Sequence, residues 1–516
     1  MKNSVAVGEE DDGVIKFSFN NDPWLDNGLE YFYKILNENK DDLGIDLTIG
    51  NYGLKILNAG NDRFPDQLGN VIKNIRQNLV VWSKDKKTGE EKEIKKDFIL
   101  IQEGKKVEGI VAFKEEIYSK DKASRAISNI MDLIQSEGSD TCILCGESFS
   151  RPYKKLQQAS YPFVTKIKSL SGVRSYKDGE LYSFKEYFSN FCPKCYLIGI
   201  LVWADNGLVY RTFPRGKTFV FLPRMNSIKE LTIFKESYRE ILYPSGRYSN
   251  LRVERGSNKV ENTPGEYSTL LCFYERFFLE VEDPVAYATQ WFVVHIPLGT
   301  MKNVKYDDLS LKGNIVHIIR EISTDKGPSI YAEIIKEIYF FNDNSKGSPV
   351  NWEITRTIQE KLSESFLKDD FRHFTKQLLP RKGGHVGFSK KTREYFETLI
   401  YIWRWKRMGI PKENLDTIKS VGNIIAVASK NNLSLLYKLD KTRNLGEFWS
   451  VLREVSRKIV GFNNKEQARI KPTALDGLIQ LVKTYEEQWK EIRDLLVVYS
   501  SMYYSIKSRK EGETNE

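Results

Sequence analysis

Two Cys-x-x-Cys pairs, Cys142/Cys145 and Cys192/Cys195, carry the clearest chemistry in the chain. Each pair can turn two thiolates toward one ion. Together the four complete the tetrahedral shell that structural zinc prefers, and Gly146 and Pro193 suit the tight turns required. Four thiolates leave no open coordination position, so the expectation is one structural Zn2+ per chain and no catalytic metal. A thioredoxin-like redox site competes for the same motif, but it needs a single Cys-x-x-Cys opening a helix. Nucleases of the HNH type also use paired Cys-x-x-Cys clamps, with histidines between the pairs to activate water; residues 146–191 contain none. The fifth cysteine, Cys272, lies in the apolar run 270–274 and reads as a buried side chain.

Catalytic motifs are absent elsewhere. The four histidines, His295, His317, His373 and His385, form no metal-protease or nuclease motif, and no phosphate-binding loop or nucleophile elbow occurs. The acidic pairs Asp307-Asp308 and Glu280 to Asp283 read as solvated loop carboxylates, so no enzyme is expected. The basic residues say more. Arg211, Arg215, Lys217, Arg224, Arg247, Arg252, Arg255 and Lys259 are interleaved with Tyr210, Phe213, Tyr238, Tyr243 and Tyr248, a mixture able to neutralise phosphates and stack on bases. Asn226, Lys229 and Asn250 add base-edge donors in the same segment. A second candidate surrounds the glycine loop 380–387: Arg381 and Lys382 in it, then Lys390, Lys391 and Arg393. The run 403–407 continues that basic face. All of these residues equally suit a solvated basic surface or an ordinary connection.

The elements that must position these groups follow from patterning. Asp22 before Pro23 is a helix-start signal, and Leu25, Leu29, Phe32 and Leu36 then recur at helical spacing over 23–38. A second helix is expected over 122–136, and strands over 98–102, 106–113, 218–222, 269–281 and 289–296. Residues 244–267 read as an exposed loop. From 351 the texture becomes helical, with runs over 353–379, 389–408, 412–430, 445–460 and 473–508; the last carries an apolar stripe from Leu475 to Ile506. The fold class is therefore α+β: a mixed body over 1–350 with a zinc-finger insertion near 138–200, then an all-α bundle over 351–516.

Composition bounds the rest. The chain has 516 residues, 41% hydrophobic and 12% aromatic, enough for several cores and too apolar for a disordered protein. The sequence before Phe17 has no signal-peptide pattern, and the run 196–203 is too short to span a bilayer, so a cytoplasmic protein without a membrane partner is expected. The formal net charge of +10 is unevenly spread. Residues 1–50 carry 4 basic and 11 acidic side chains, whereas 151–185 carry 8 and 2, 211–259 carry 11 and 4, and 372–407 carry 10 and 2. That is a mild argument for an anionic partner.

Asn21-Asp22-Pro23-Trp24-Leu25-Asp26-Asn27-Gly28-Leu29, then paired Cys-x-x-Cys knuckles, then a helical bundle, is an order that resembles the large subunit of type I CRISPR interference complexes (Cascade), most closely subtype I-B. The acidic leader and the extra Asn at 20–21 depart from that family's opening. The resemblance implies a non-catalytic subunit that recognises a short motif beside the target in double-stranded DNA, aids R-loop formation by guide crRNA and recruits a helicase-nuclease. The implied partners are the guide, the target duplex, and the backbone, guide-end and small subunits. It further implies an N-terminal domain that binds duplex and guide end, and a bundle similar to the small subunit. Two other classes fit the residues: a zinc-dependent nuclease or nucleic-acid-modifying enzyme, and a zinc-ribbon scaffold that binds proteins.

Overall fold

A computed structural model describes residues 13–72, 75–84, 91–99, 120–154, 160–163, 174–177, 180–183, 191–212, 218–242, 249–250, 252–255, 259–262, 264–296, 304–324, 330–342, 350–429, 432–468 and 470–513. The fold is α+β, with small sheets in the N-terminal part and helices at the C-terminal end. The chain divides into two compact units, residues 1–251 with 280–309, and residues 252–279 with 310–516.

The first unit is organised around the opening helix, Pro23–Glu38. Asp22 caps it, its Oδ1 accepting from the amides of Trp24 (2.9 Å) and Leu25 (3.0 Å), and Pro23 occupies the first helical position. The stripe Leu25, Leu29, Phe32 and Leu36 is fully buried, as its spacing demands. A three-stranded antiparallel sheet of Ile15–Ser18, Gly53–Leu57 and Asp46–Gly50 supplies further core residues. A five-stranded sheet has the order Ser249–Asn250, Val209–Thr212, Thr218–Arg224, Gln290–Ile296, Lys305–Ser310. The expected strands 218–222 and 289–296 fall in it. Of 98–102, residues 98 and 99 end the strand Glu91–Ile99; 100–102 and all of 106–113 lie outside the described residues. The helix expected over 122–136 is Lys120–Gln135.

In the second unit, the expected strand 269–281 is instead the helix Glu266–Glu280. Leu270, Phe273, Tyr274, Phe277 and Phe278 recur every three or four residues and are all buried, so helical periodicity outweighs their β-propensity. Its N-terminus is satisfied from a distance. Glu360, on the helix Trp352–Leu367, accepts from the Tyr267 amide (2.7 Å), the Ser268 amide (3.3 Å) and the Ser268 hydroxyl (2.7 Å), and burial pushes its carboxyl up to about 7. The loop expected over 244–267 contains a hairpin, Arg252–Arg255 paired with Lys259–Asn262.

Two of the long helical runs break. Asp369 at φ +54 ends Trp352–Leu367, and Asp370 caps Phe371–Leu378; the last run divides into Ala474–Thr484 and Trp489–Glu513. The unit also contains Lys390–Trp403, Glu413–Ala428, Leu445–Val460 and an unforeseen short helix, Ser434–Lys441. The units part at 310, not at 351, because Gly313–Thr324 and Glu266–Glu280 belong with the later helices.

Candidate metal centre and basic surfaces

The first knuckle is a short hairpin, Asp140–Thr141 paired with Ser148–Phe149. It closes when the Cys142 amide donates to Glu147 O and the Gly146 amide to Cys142 O, both at 2.9 Å. Gly146 sits at φ +74, where a side chain would be strained. The second knuckle opens the helix Pro193–Leu201. Cys192 is its N-cap, with Sγ accepting from the Cys195 amide at 3.4 Å, while the Cys192 amide points to Cys142 Sγ at 3.4 Å. A helix N-terminus and two amides thus face the sulfurs, which favours thiolates.

All four sulfurs lie within 4.8 Å of one another. Cys142 and Cys195 are 3.9 Å apart, and Cys145 and Cys192 are 3.7 Å apart. A tetrahedron with Zn–S bonds of about 2.3 Å has edges of about 3.8 Å, so the cluster has the size of a four-cysteine metal site. The residues fit a metal ion such as zinc. Cys142, Cys192 and Cys195 are buried and Cys145 is half-buried. The sulfurs also perturb one another. Hydrogen bonds from Cys145, Cys192 and Cys195 lower the Cys142 thiol, whereas those with Cys142 and Cys145 raise Cys192 and Cys195. A dication held by the four sulfurs would stabilise all of them as thiolates.

The opening helix packs directly on the knuckle helix. Trp24 Nε1 donates to Gly199 O (2.9 Å) and Ser160 O (3.0 Å), and its ring meets Trp203 edge-on at 5.3 Å. A Cβ placed on Gly28 would stand 1.9 Å from Ile198 O. Only glycine permits this approach, so Gly28→Ala should cost about 3 kcal/mol or more, read as a lower thermal midpoint with the chain's capacity for metal unchanged. On the same helix Asn27 Nδ2 donates to Pro223 O at 3.0 Å, fixing the end of the strand Thr218–Arg224. Asp22 Oδ2 accepts from the Tyr161 hydroxyl at 2.7 Å. Asp26 is buried, accepts from the Asn20 amide, and is pushed up to about 8, chiefly by that burial.

Beneath this helix lies a group that sequence reasoning missed. Glu30, Asp205, Lys235 and Arg239 are each at most 1% exposed. Arg239 Nη2 reaches both Glu30 oxygens (2.9 and 2.7 Å) and Asp205 (3.3 Å), while Lys235 binds Glu30 at 2.8 Å and also Asp205. Burial raises the Asp205 carboxyl, but Lys235 and Arg239 outweigh it and hold the group below its ordinary range. Two cations balance two anions out of reach of solvent, which makes the group a structural lock.

The basic candidates scatter. Arg224, Asn226 and Lys229 are exposed together where the strand Thr218–Arg224 turns into the helix Ile228–Leu242. Arg211 is corrected: it is fully buried on the strand Val209–Thr212 and cannot meet a phosphate backbone. Tyr210 and Tyr238 are buried too, so neither is open for base stacking. Arg215, Lys217 and Arg247 lie outside the described residues; Asn250 is on a strand of the five-stranded sheet, and Arg252 and Arg255 are on the hairpin of the second unit. In that unit Arg381 and Lys382 are exposed on a turn, and Lys390 starts the helix Lys390–Trp403. Lys391 pairs with Glu333 at 3.0 Å and Arg393 approaches Glu397 at 3.8 Å, so part of that charge is answered within the chain. The run 403–407 is corrected as well. Trp403 and Trp405 are both buried, Arg404 pairs with Asp369 at 3.0 Å, and Lys406 pairs with Glu321 at 2.7 Å.

No family model matches the chain, and no curated protein matches it. Among the described residues no helix is long and apolar enough to cross a membrane.

Proposed function

We propose that the chain is the non-catalytic large subunit of a type I RNA-guided DNA surveillance complex of the Cascade kind, closest to subtype I-B, with one structural zinc. In this reading it contacts the duplex beside the target, assists strand exchange with guide crRNA and presents a surface to a helicase-nuclease. The observation that supports it is the packing of the opening helix on the knuckle helix. The two sequence features behind the resemblance, 22–28 and the second knuckle, meet through Trp24 and Gly28. The same helix holds the end of the strand that exposes Arg224, next to Asn226 and Lys229. That arrangement couples a metal-stabilised core to a polar turn suited to reading phosphates and base edges. Base pairing by a guide would carry most of the specificity, which leaves the protein only a short motif to read.

The test is recovery of the tagged chain from its host with sequencing of bound RNA. Short guide RNAs of one repeat-derived form, together with a repeating backbone subunit, are the expected result; a chain free of RNA overturns the reading. Purified chain should leave plasmid intact with Mg2+ or Mn2+, since nicking abolished by a carboxylate substitution would mark an enzyme. Duplex DNA affinity should fall steeply with salt, and Arg224→Ala with Lys229→Ala should lower the slope of log affinity against log salt by about 2. Affinity independent of salt would instead favour a protein-binding scaffold.

A further inference from the structure

The second unit contains a two-stranded ribbon, Tyr339–Asn342 paired antiparallel with Gly384–Gly387, in the register Tyr339↔Gly387 and Phe341↔His385. Tyr339 and Phe341 project on the same side of their strand. Both are half-buried, with ring centroids 6.5 Å apart. Phe341 lies so close over the partner strand that a Cβ on Gly387 would stand 2.0 Å from its ring, and it stacks on His385 at 6.0 Å. The row continues outward. Trp352, the first residue of the helix Trp352–Leu367, meets Tyr339 edge-on at 5.8 Å.

Trp352 is 56% exposed, whereas Trp24, Trp203, Trp291, Trp403 and Trp405 are all 1% exposed or less. An indole left in water beside two further aromatic rings marks a recognition surface more than a packing remnant. Arg356 is one helical turn on from Trp352, exposed, and without an ion pair among the described residues; Glu353 is turned about 100° away. Lys382, on the turn that leads into the second strand of the ribbon, is likewise exposed and without an ion pair among the described residues, whereas the Arg381 guanidinium lies 5.9 Å from the ring of Phe340, which projects on the opposite side of its strand from Tyr339 and Phe341.

We propose that Trp352, Tyr339 and Phe341 form a stacking platform for the unpaired bases of a single-stranded nucleic acid, with Arg356 and Lys382 answering its phosphates. Aromatic faces accept every base, and flanking cations follow the backbone, which is how sequence-tolerant single-strand sites are built. Duplex DNA does not suit the platform, because its bases are already stacked. A proline-rich peptide would use the rings but not the two cations that have no ion pair. The proposal rests on the nucleic-acid reading above and narrows it to one surface and one strand state.

The test uses the full chain, a fluorescein-labelled oligothymidylate and a duplex of mixed sequence. Trp352→Ala should weaken oligothymidylate binding roughly tenfold, the loss of one base stack, and leave duplex binding unchanged, while Trp352→Phe should keep most of the affinity. Arg356→Ala provides an independent reading on an exposed side chain and should lower the salt slope for the single strand by about 0.7. A parent chain that binds both probes, with Trp352→Ala and Arg356→Ala indistinguishable from it, overturns the platform and leaves the subunit reading intact. A parent that binds neither probe overturns both. Displacement of the oligomer only by a proline-rich peptide, with no effect of salt, also overturns the platform.

Discussion

Replacing Cys195 with serine should lower the thermal midpoint of the full chain by on the order of 10 °C, and mass spectrometry under native conditions should find that the chain no longer retains a metal ion such as zinc. The size follows from what the metal joins. Cys142 and Cys145 sit in the turn of a hairpin whose strands are only two residues long, and Cys192 and Cys195 start a helix whose far side is the floor for Trp24 and Gly28. Structural zinc in isolated fingers supplies roughly 10–16 kcal/mol of apparent binding energy. In this chain the core survives around the site, so about 3–5 kcal/mol of that should appear as lost stability, which for a unit of this size corresponds to the stated shift. A chelator competing under mildly destabilising conditions should act in the same direction, and zinc added back should reverse it. A midpoint unchanged by Cys195→Ser, in a chain that still unfolds cooperatively, would remove the metal from the account of this fold.

The second large effect comes from the lock beneath the opening helix. Arg239→Met strands two carboxylates, Glu30 and Asp205, that are each at most 1% exposed and leaves Lys235 alone to balance them. Removing one partner of such a buried group costs about 3–5 kcal/mol, because the remaining charge has no water to fall back on. Urea unfolding followed by circular dichroism should show the midpoint fall with little change in slope. A compensating Glu30→Gln should recover part of the loss, whereas two independent sites would simply add. The acid limb gives a separate reading. Asp205 is held below its ordinary value of 3.8, so its contribution is complete above that pH and is lost as pH falls through the depressed value. With Arg239 gone the Asp205 carboxyl rises, and acid unfolding should begin at a higher pH than in the parent chain.

The parts of the chain that were legible in sequence share a property: their signal is local. The Asp22-Pro23 start, the Leu25 to Leu36 stripe and the two cysteine pairs each specify an element within a few residues, and each is present where expected. The parts that were not legible depend on distant partners. The run from Leu270 to Phe278 is rich in aromatics and reads as a strand by propensity; its helical periodicity was in the sequence, but the partner that completes the helix N-terminus, Glu360, is remote from it. Arg211 looked like one more cation in a basic stretch, and only the sheet order shows it to be inside. Glu30, Asp205 and the Lys235/Arg239 pair of the helix Ile228–Leu242 come from three places far apart in the chain, so no sequence window contains the lock. The glycine in 22–28 belongs to both groups. It was visible as part of a pattern, and its reason, a backbone oxygen 1.9 Å from where a side chain would begin, is visible only in three dimensions.

The division of the chain at 252, 280 and 310 bears on how the protein is made. Residues 252–279 leave the ribosome with the first unit but belong to the second. The helix Glu266–Glu280 therefore carries Leu270, Leu271, Phe273 and Phe277 into the cell before the residues that cover them exist. Glu360, which completes its N-terminus, follows Ser268 by 92 positions. At 5–20 residues per second that is a wait of roughly 5–20 s with an apolar face uncovered. Neither unit can be expressed from one uninterrupted stretch of gene without leaving a piece behind, and the interval before Glu360 emerges is when a nascent chain of this protein would need a chaperone most.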